Sequence, residues 1–177
     1  MIKLPIETKH LYLRNFSQAD WERVHLYGTI PEFSQYELWG PNSVEDTKAF
    51  ISRMVAQVSQ SPRYQFDLAV CLNDSSLLIG SCTIQLAAQE SYVAHLGWAI
   101  NPDYQRKGYA TEAAQALIRC GFQELGLVVI YATCDTRNLP SIRVMEKLGM
   151  KRTGFIKGDK EFKDHIRDTV RYEILRQ

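Results

Sequence analysis

The chain has 177 residues, enough for one domain that buries most of its apolar surface. Its 21 basic and 20 acidic residues give a formal net charge of +1, so no overall field would draw it to nucleic acid or to an anionic membrane. Any phosphate recognition must therefore be local.

Neither the first residues of the chain nor its cysteines indicate an exported protein. Residues 1–16 contain no signal-type apolar block, and no stretch approaches the length of a membrane span. The cysteines include no CxxC pair and lie in apolar contexts, so buried thiols are expected in place of disulfides or metal ligands. They are Cys71, Cys82, Cys120 and Cys134. A cytoplasmic protein without a metal is predicted.

The first part of the chain predicts a strand, a helix and a loop. Apolar residues alternate over residues 11–16, and a helix-start signal at Ser17 opens the segment 17–27. Residues 28–42 contain proline, glycine and three aromatic residues, which favours a loop or broken helix. The aromatic residues are Phe33, Tyr36 and Trp39. They either pack on the core or line a substrate entrance.

A helix and a three-stranded meander are predicted next. Ser43 begins an apolar pattern at helical spacing. Alternation predicts strands over residues 64–72, 77–87 and 92–100, joined by short turns. Successive strands with such short links form an antiparallel meander.

The second half of the chain alternates helices and strands. A helical face extends over residues 110–125, and the apolar run 127–134 predicts a central strand covered on both faces. A further helix opens at Asn138 and stops at Gly149. Strands at 150–156 and 165–175, with a charged loop at 158–164, complete the predicted elements.

A short basic turn lies between the third strand of the meander and the next helix. It runs from Gln105 to Thr111 and includes Arg106, Lys107 and Gly108. Such a turn presents unpaired backbone N–H groups at the positive end of a helix dipole. Gly108 permits a positive φ or the close approach of a phosphate. The turn is neither a P-loop nor a GxGxxG fingerprint, but it is a candidate anion site.

The residues around this turn resemble the GCN5-related N-acetyltransferase (GNAT) family. Gln105, Gly108 and Ala110 match its pattern of strand, [QR]-x-x-G-x-[GA] and helix. The phrases LGWAINPDYQRKGYATEA and RNLPSIRVMEKLGM look most like the branch with the ribosomal-protein alanine N-acetyltransferases (RimJ/RimL-like). The resemblance covers nearly the whole chain. It implies one α/β domain over residues 1–177, with a mixed, mostly antiparallel sheet of about seven strands, about four helices and a splayed central strand pair.

The resemblance implies acetyl-CoA as co-substrate and no metal. Its pyrophosphate would bind the turn residues Gln105, Arg106, Lys107, Gly108, Tyr109, Ala110 and Thr111. Backbone groups of Trp98, Ala99 and Ile100 would hold the pantetheine arm between the splayed strands, unless they pair with a neighbouring strand. A free N–H near Ile100 would hold the developing oxyanion.

Acetyl transfer also needs a hydrogen-bond donor for the departing sulfur. The branch that this chain resembles places a serine after an Asn-x-x motif, and Asn138 and Ser141 match it. The resemblance implies that Asn138 binds the pantetheine or orders its loop, and that Ser141 donates to the CoA sulfur. Without the resemblance, Ser141 reads equally well as a helix-start residue.

The general base is where the chain departs from the family pattern. Relatives often have glutamate two residues before the glycine of the LG[YW] strand, and His95 stands there. Histidine has a suitable unperturbed pKa of about 6.5, and alternation places His95 on the same strand face as Gly97. A structural role for His95, a water chain, and the weaker candidates Glu90, Asp135 and Tyr36 stay open.

The implied acceptor is a primary amine, either a protein N-terminus or a small molecule such as a polyamine, an amino acid or an aminoglycoside. Acidic residues that would favour a polycation are Glu32, Glu37, Glu45 and Asp46. The alternatives are a non-catalytic acyl-CoA-binding regulatory module and, more remotely, a phosphate-binding α/β protein of another family. A homodimer through the final strands is a further expectation, whereas nucleic acid and membranes are not expected as direct partners.

Overall fold

The computed structural model describes residues 2–36, 39–88, 91–162 and 165–177. Its strands are β1 (Ile6–Glu7), β2 (Leu11–Asn15), β3 (Gln65–Leu72), β4 (Leu78–Leu86), β5 (Val93–Ile100), β6 (Val129–Asp135), β7 (Lys151–Phe162) and β8 (His165–Leu175). Its α-helices are α1 (Trp21–Gly28), α2 (Val44–Ala56), α3 (Tyr109–Gln123) and α4 (Leu139–Lys147).

All these strands form one sheet in the order β1-β2-β3-β4-β5-β6-β8-β7. Neighbours are antiparallel except β5 and β6, which are parallel. These two strands pair only at Val93–His95 with Val129–Tyr131, although both continue further. The predicted splayed central pair is therefore confirmed. We call the gap beyond His95 the strand opening.

Helices cover the two faces of the sheet unequally. On one face α3 packs against the sheet, and α4 places Met145 beside Ala132 and Cys134 of β6. On the other face α1 and α2 pack over the first strands, where Ile51 meets Ala69 of β3. The prediction that β6 is covered on both faces is wrong, because its second face carries half-buried side chains that line a cleft.

The helix starts follow local hydrogen bonding. At α2 the Ser43 hydroxyl accepts from the Asp46 N–H at 3.1 Å, and the Asp46 carboxylate accepts from the Ser43 N–H at 3.1 Å. This reciprocal capping box satisfies two backbone donors that have no intrahelical acceptor. The helix start predicted at Ser43 is confirmed.

The number of strands and the extent of β7 differ from the sequence prediction. The sheet has eight strands instead of about seven, because the two-residue strand β1 is too short to show alternation. The predicted loop at 158–164 is mostly strand, since β7 continues to Phe162 with an irregular register between Ile156 and Lys160. Exposed residues of an edge strand need no apolar pattern. The charged residues in this part of β7 therefore gave no sequence signal for a strand, and a loop was predicted.

The four cysteines are buried thiols, as predicted. Desolvation raises the pKa of Cys120 to about 11 and that of Cys134 to about 12, so both are protonated at neutral pH. None of the helices within the described ranges has the length and apolar character needed to cross a bilayer. The same part of the chain contains no group of three or more His, Cys, Asp or Glu residues suited to a metal ion.

Candidate active site

A cleft of about 680 Å³ passes through the sheet at the strand opening. The face that carries α4 contributes Cys134, Asn138, Ser141 and Met145 to its lining. The opposite face contributes Gln85, His95, Tyr131, Thr133, Thr169 and Arg171. We call this second set the polar face. The cleft therefore connects the two faces of the sheet.

The β5 edge at the opening offers backbone groups from alternate residues. The Asn101 N–H donates to a β4 carbonyl at 2.8 Å. Antiparallel alternation then turns the backbone groups of Ala99 towards β4 and those of Trp98 and Ile100 towards the opening. The Ile100 carbonyl accepts from the Gln105 side chain at 2.9 Å. Trp98 and Ile100 thus border the opening through their backbone, whereas the backbone of Ala99 belongs to the β4–β5 ladder.

The basic turn has the conformation of an open anion site. Arg106 and Gly108 both have positive φ values, of 61° and 88°. Apart from the adjoining residues of the chain, no atom lies within 4 Å of the point where a Cβ on Gly108 would stand, so the space above the turn is open. The Lys107 ammonium lies 5.0 Å from the centre of the Tyr104 ring, a cation–π contact that holds this side chain beside the turn.

The first turn of α3 leaves several backbone donors outside the helical ladder. The Glu112 N–H bonds to the Gly108 carbonyl at 3.0 Å and closes the first helical turn. The preceding N–H groups of Tyr109, Ala110 and Thr111 therefore have no intrahelical acceptor. The structure brings these predicted residues together with the basic turn at the positive end of the helix dipole.

Glu112 anchors this end of α3 to the β1–β2 turn. Its carboxylate accepts from the Thr8 hydroxyl at 2.7 Å and from the His10 N–H at 2.7 Å, and it lies 2.8 Å from His10 Nδ1. Burial opposes the ionisation of Glu112, but these hydrogen bonds outweigh it and lower its pKa. Its negative charge is thereby engaged by the β1–β2 turn.

The first residues of α4 lie on the other side of the cleft. The side-chain oxygen of Asn138 accepts from the Ser141 N–H at 3.1 Å and caps the helix. This contact orders the loop, which is one of the two roles expected for Asn138. Ser141 is half-buried in the first turn of α4 and lines the cleft.

His95 lies where the two strands separate. Its ring is 5.2 Å from the Tyr131 ring in an edge-on arrangement. A Cβ on Gly97 would lie 3.8 Å from His95 Cε1, which confirms that the two residues share a face. Both residues line the cleft. His95 is therefore within the cleft but on the face opposite Ser141.

The weaker candidates for a base have different positions. Tyr36 lines the cleft and donates from its hydroxyl to the Arg137 carbonyl at 3.2 Å. The buried Asp135 carboxylate forms an ion pair of 2.7 Å with the Arg137 guanidinium, so it is already engaged. Glu90 lies outside the described residues, as does Glu37 among the acidic residues considered for a polycation.

The aromatic residues of the 28–42 segment pack on the core or line the cleft, and Trp39 does both. Trp39 stacks on Phe50 of α2 with ring centres 4.9 Å apart and an interplanar angle of 8°. Phe33 meets Trp39 edge-on at 5.5 Å and is buried. Trp39 and Tyr36 also line the cleft. The segment therefore packs on the core and borders the cleft at once.

Strands β7 and β8 supply cleft residues that the sequence analysis missed. The Thr169 hydroxyl donates to the Asp159 carboxylate at 2.8 Å and accepts from Arg167 Nε at 3.1 Å. The Arg171 guanidinium lies 3.8 Å from the centre of the Tyr131 ring. Alternating polar residues in β8 were a usable signal for one strand face, but no local pattern shows that β8 lies beside β6.

Comparison with known proteins agrees with this geometry. Residues 10–151 match the acetyltransferase (GNAT) domain family. The N-acetyltransferase YnaD of Bacillus subtilis is 40% identical over 152 residues, which cover 86% of this chain and 85% of YnaD.

Solved structures with the same fold include two informative examples. A GNAT-family acetyltransferase from Bacillus anthracis superposes with a TM-score of 0.86 at 35% identity, covering 97% of this chain and 98% of that one. The ribosomal L7/L12 N-acetyltransferase RimL, in complex with coenzyme A, has a TM-score of 0.83 at 16% identity and 97% coverage of both chains. The chain therefore belongs to the GNAT acetyltransferase family and is an acetyl-CoA-dependent acyltransferase.

Proposed function

We propose that this protein transfers the acetyl group of acetyl-CoA to a primary amine, on a protein N-terminus or a small molecule, by direct attack of the amine on the thioester. The observation that carries the proposal is the strand opening. One cleft there is lined by the β5 edge and by Ser141, and β5 leads through the basic turn into the first turn of α3. A co-substrate with a phosphate end and an amide-rich arm suits this set of groups.

Each part of the co-substrate has protein groups that fit it. The backbone N–H groups of Tyr109, Ala110 and Thr111, with the side chains of Arg106 and Lys107, bind the pyrophosphate. RimL, which shares this fold, was solved in complex with coenzyme A, and this supports a coenzyme A site in this chain.

The pantetheine arm binds along the β5 edge. Backbone groups of Trp98 and Ile100 hydrogen-bond to it, as an added strand would. Gln105 acts indirectly, because its side chain holds the Ile100 carbonyl and so fixes the end of β5.

The chemistry follows from the requirements of amide formation. His95 accepts the proton that the ammonium group of the acceptor must lose before it can attack. The new C–N bond then places negative charge on the thioester oxygen, which the Ile100 N–H stabilises. As the C–S bond breaks, Ser141 donates a hydrogen bond to the departing sulfur. Serine is too weak an acid to transfer a full proton at neutral pH, so this hydrogen bond is its contribution. The second proton that the nitrogen loses as the amide forms passes through solvent to the departing thiolate.

The proposal is tested by thiol release from acetyl-CoA with free-N-terminal peptides, polyamines, aminoglycosides and amino acids as acceptors. Ser141→Ala is expected to lower kcat by about 10- to 100-fold with little change in the KM for acetyl-CoA, because one hydrogen bond to a developing charge is lost. His95→Ala is expected to lower the rate and to remove its rise with pH. Ser59→Ala, in the short 3-10 helix that follows α2 and outside the cleft lining, is the matched control.

The outcomes distinguish the proposed acetyl transfer from the proposed binding of acetyl-CoA. Calorimetry that shows acetyl-CoA binding without turnover of any amine would contradict the transfer and favour a binding module. Absence of acetyl-CoA binding would contradict the assigned cofactor groups. Unchanged kcat in Ser141→Ala would remove Ser141 from the mechanism.

A further inference from the structure

We propose that the acceptor carries an anionic group, a carboxylate or a phosphate, close to its amine, and that Arg167 and Arg171 bind this group. The inference rests on the proposed function, because it assumes that the acceptor occupies the cleft beside His95. It goes further by assigning a chemical class to the acceptor and a role to two residues of β8.

The register of the sheet places both arginines on the face that carries His95. His95 pairs with Tyr131, and along β6 Thr133 pairs with Arg171. Side chains two residues apart share a strand face, so Arg171 and Arg167 project from the face that includes His95. They lie at increasing distance from it in the direction in which β5 and β6 diverge. An acceptor with its amine at His95 therefore extends over these guanidinium groups.

The fixed charges that line this path are two guanidinium groups and one carboxylate. The charged residues that line the cleft, within the part of the chain that the structure describes, are Asp159, Arg167 and Arg171, and His95 is the titratable imidazole among them. The described acidic residues once considered for a polycation, Glu32, Glu45 and Asp46, are exposed and do not line the cleft. Among the residues that the structure describes, the cleft lining therefore does not form the acidic lip that a polyamine needs.

Contacts with neighbouring residues hold both guanidinium groups in fixed positions. Arg167 is only 11% exposed; its Nε donates to the Thr169 hydroxyl at 3.1 Å, and its Nη2 lies 4.0 Å from the Asp159 carboxylate. Arg171 bonds through Nε to Glu173 at 2.7 Å and rests on the Tyr131 ring, which fixes its plane. Guanidinium groups held in this way bind carboxylate and phosphate oxygens with directed hydrogen bonds.

A cationic acceptor would face the opposite situation. Spermidine would bring its second and third ammonium groups towards Arg171 and Arg167, with Asp159 as the counter-charge that lines this part of the described cleft. The cleft would thus discriminate between acceptors by attracting anionic ones and repelling polycations.

The test compares acceptors that differ only in the anionic group. The pairs are α-amino acids with their carboxamides, and phosphoethanolamine with ethanolamine, and spermidine is the polycation. The wild-type enzyme is expected to prefer at least one anionic member over its neutral partner by about tenfold or more in kcat/KM, the scale of a charged hydrogen bond. The carboxylate and phosphate arms show which anion is used.

Variants then assign the preference to the arginines. Arg167→Gln and Arg171→Gln are expected to bring that ratio towards one, mainly through the acceptor KM, while the KM for acetyl-CoA stays unchanged. Arg167→Lys is expected to retain part of the preference, because it keeps the charge but not the bidentate geometry. Arg53→Gln, on the exposed side of α2, is the control. Thermal unfolding checks that each variant is folded.

Several results would overturn the inference. Equal turnover of the acid and its amide, a preference for spermidine, or acetyl-CoA binding without turnover of any anionic acceptor would each contradict it. An anionic preference that survives both arginine variants would remove these residues from recognition. If Arg167→Gln is unfolded, the inference is still tested by comparing the wild type with Arg171→Gln. The quantity compared is the ratio of kcat/KM for the anionic acceptor to kcat/KM for its neutral partner. If the wild-type protein does not bind acetyl-CoA, that result would instead contradict the proposed function itself.

Discussion

Arg14 and Asp20 form a partly buried ion pair between β2 and the start of α1. Two guanidinium nitrogens of Arg14 donate to the two Asp20 carboxylate oxygens at 2.8 Å each. Burial opposes the ionisation of Asp20, but the hydrogen bonds from Arg14 and Ser17 outweigh it and lower its pKa. A carboxylate with a lowered folded-state pKa stabilises the fold above its unfolded pKa and loses that contribution as pH falls through the folded value.

Asp20→Asn is therefore expected to destabilise the protein by about 2 kcal/mol at pH 7, because it leaves a partly buried guanidinium without its partner. The difference from the wild type should shrink as the pH falls from about 4, the unfolded pKa of aspartate, through the lower folded-state pKa, because the wild-type carboxylate then takes up a proton whereas asparagine does not titrate. Urea unfolding at several pH values measures this. Asp74→Asn, in an exposed turn, serves as the control, and a difference that stays constant with pH would rule out the ion pair as its cause.

The elements that touch the core were predictable from local patterns. Apolar alternation in β3 and helical spacing in α2 reflect burial against neighbours, so their predicted bounds lie close to the observed ones. The local structure of the candidate site was predictable where it depends on contiguous residues, as at the helix starts that follow Gln105–Thr111 and Asn138. The β7–β8 contribution was not, because strand order is set by contacts between residues that are distant in sequence.

Gly80 tests how tightly the end of β5 is held in this sheet. A Cβ at this position would collide with the Ala99 carbonyl oxygen and lie 2.9 Å from Ile100 Cα, both backbone atoms that cannot turn aside. Gly80→Ala is expected to cost about 1–3 kcal/mol of stability by overpacking. It is also expected to raise the KM for acetyl-CoA, because Ile100 must shift.

Gly97→Ala is the matched comparison on the same strand pair. Its Cβ would meet only His95 Cε1, at an ordinary contact distance of 3.8 Å. Denaturant unfolding measures the loss of stability in both variants, and steady-state kinetics measures their KM for acetyl-CoA. Equal stability losses would mean that backbone collision is not the cause.

The whole molecule is nearly neutral, with a formal net charge of +1, so any electrostatic attraction for a polyanionic co-substrate must be local, and the proposed site of that attraction is the basic turn. The KM for acetyl-CoA is expected to rise with ionic strength, since the exposed charges of Arg106 and Lys107 are screened by salt. The double variant Arg106→Gln/Lys107→Gln should have a higher KM at low salt and a flatter salt dependence. A double variant of the exposed Arg53 and Arg119 should keep the wild-type slope; a parallel change in that control would assign the effect to global charge.

The strand opening has a kinetic consequence, because it gives the cleft an access from each face of the sheet. If the co-substrate occupies the α4 face and the acceptor the polar face, neither blocks the route of the other. Both reactants are then held at once in a ternary complex, and the protein needs no acylated side chain to carry the acetyl group between two half-reactions. Binding in either order and independent departure of the two products follow from the same architecture.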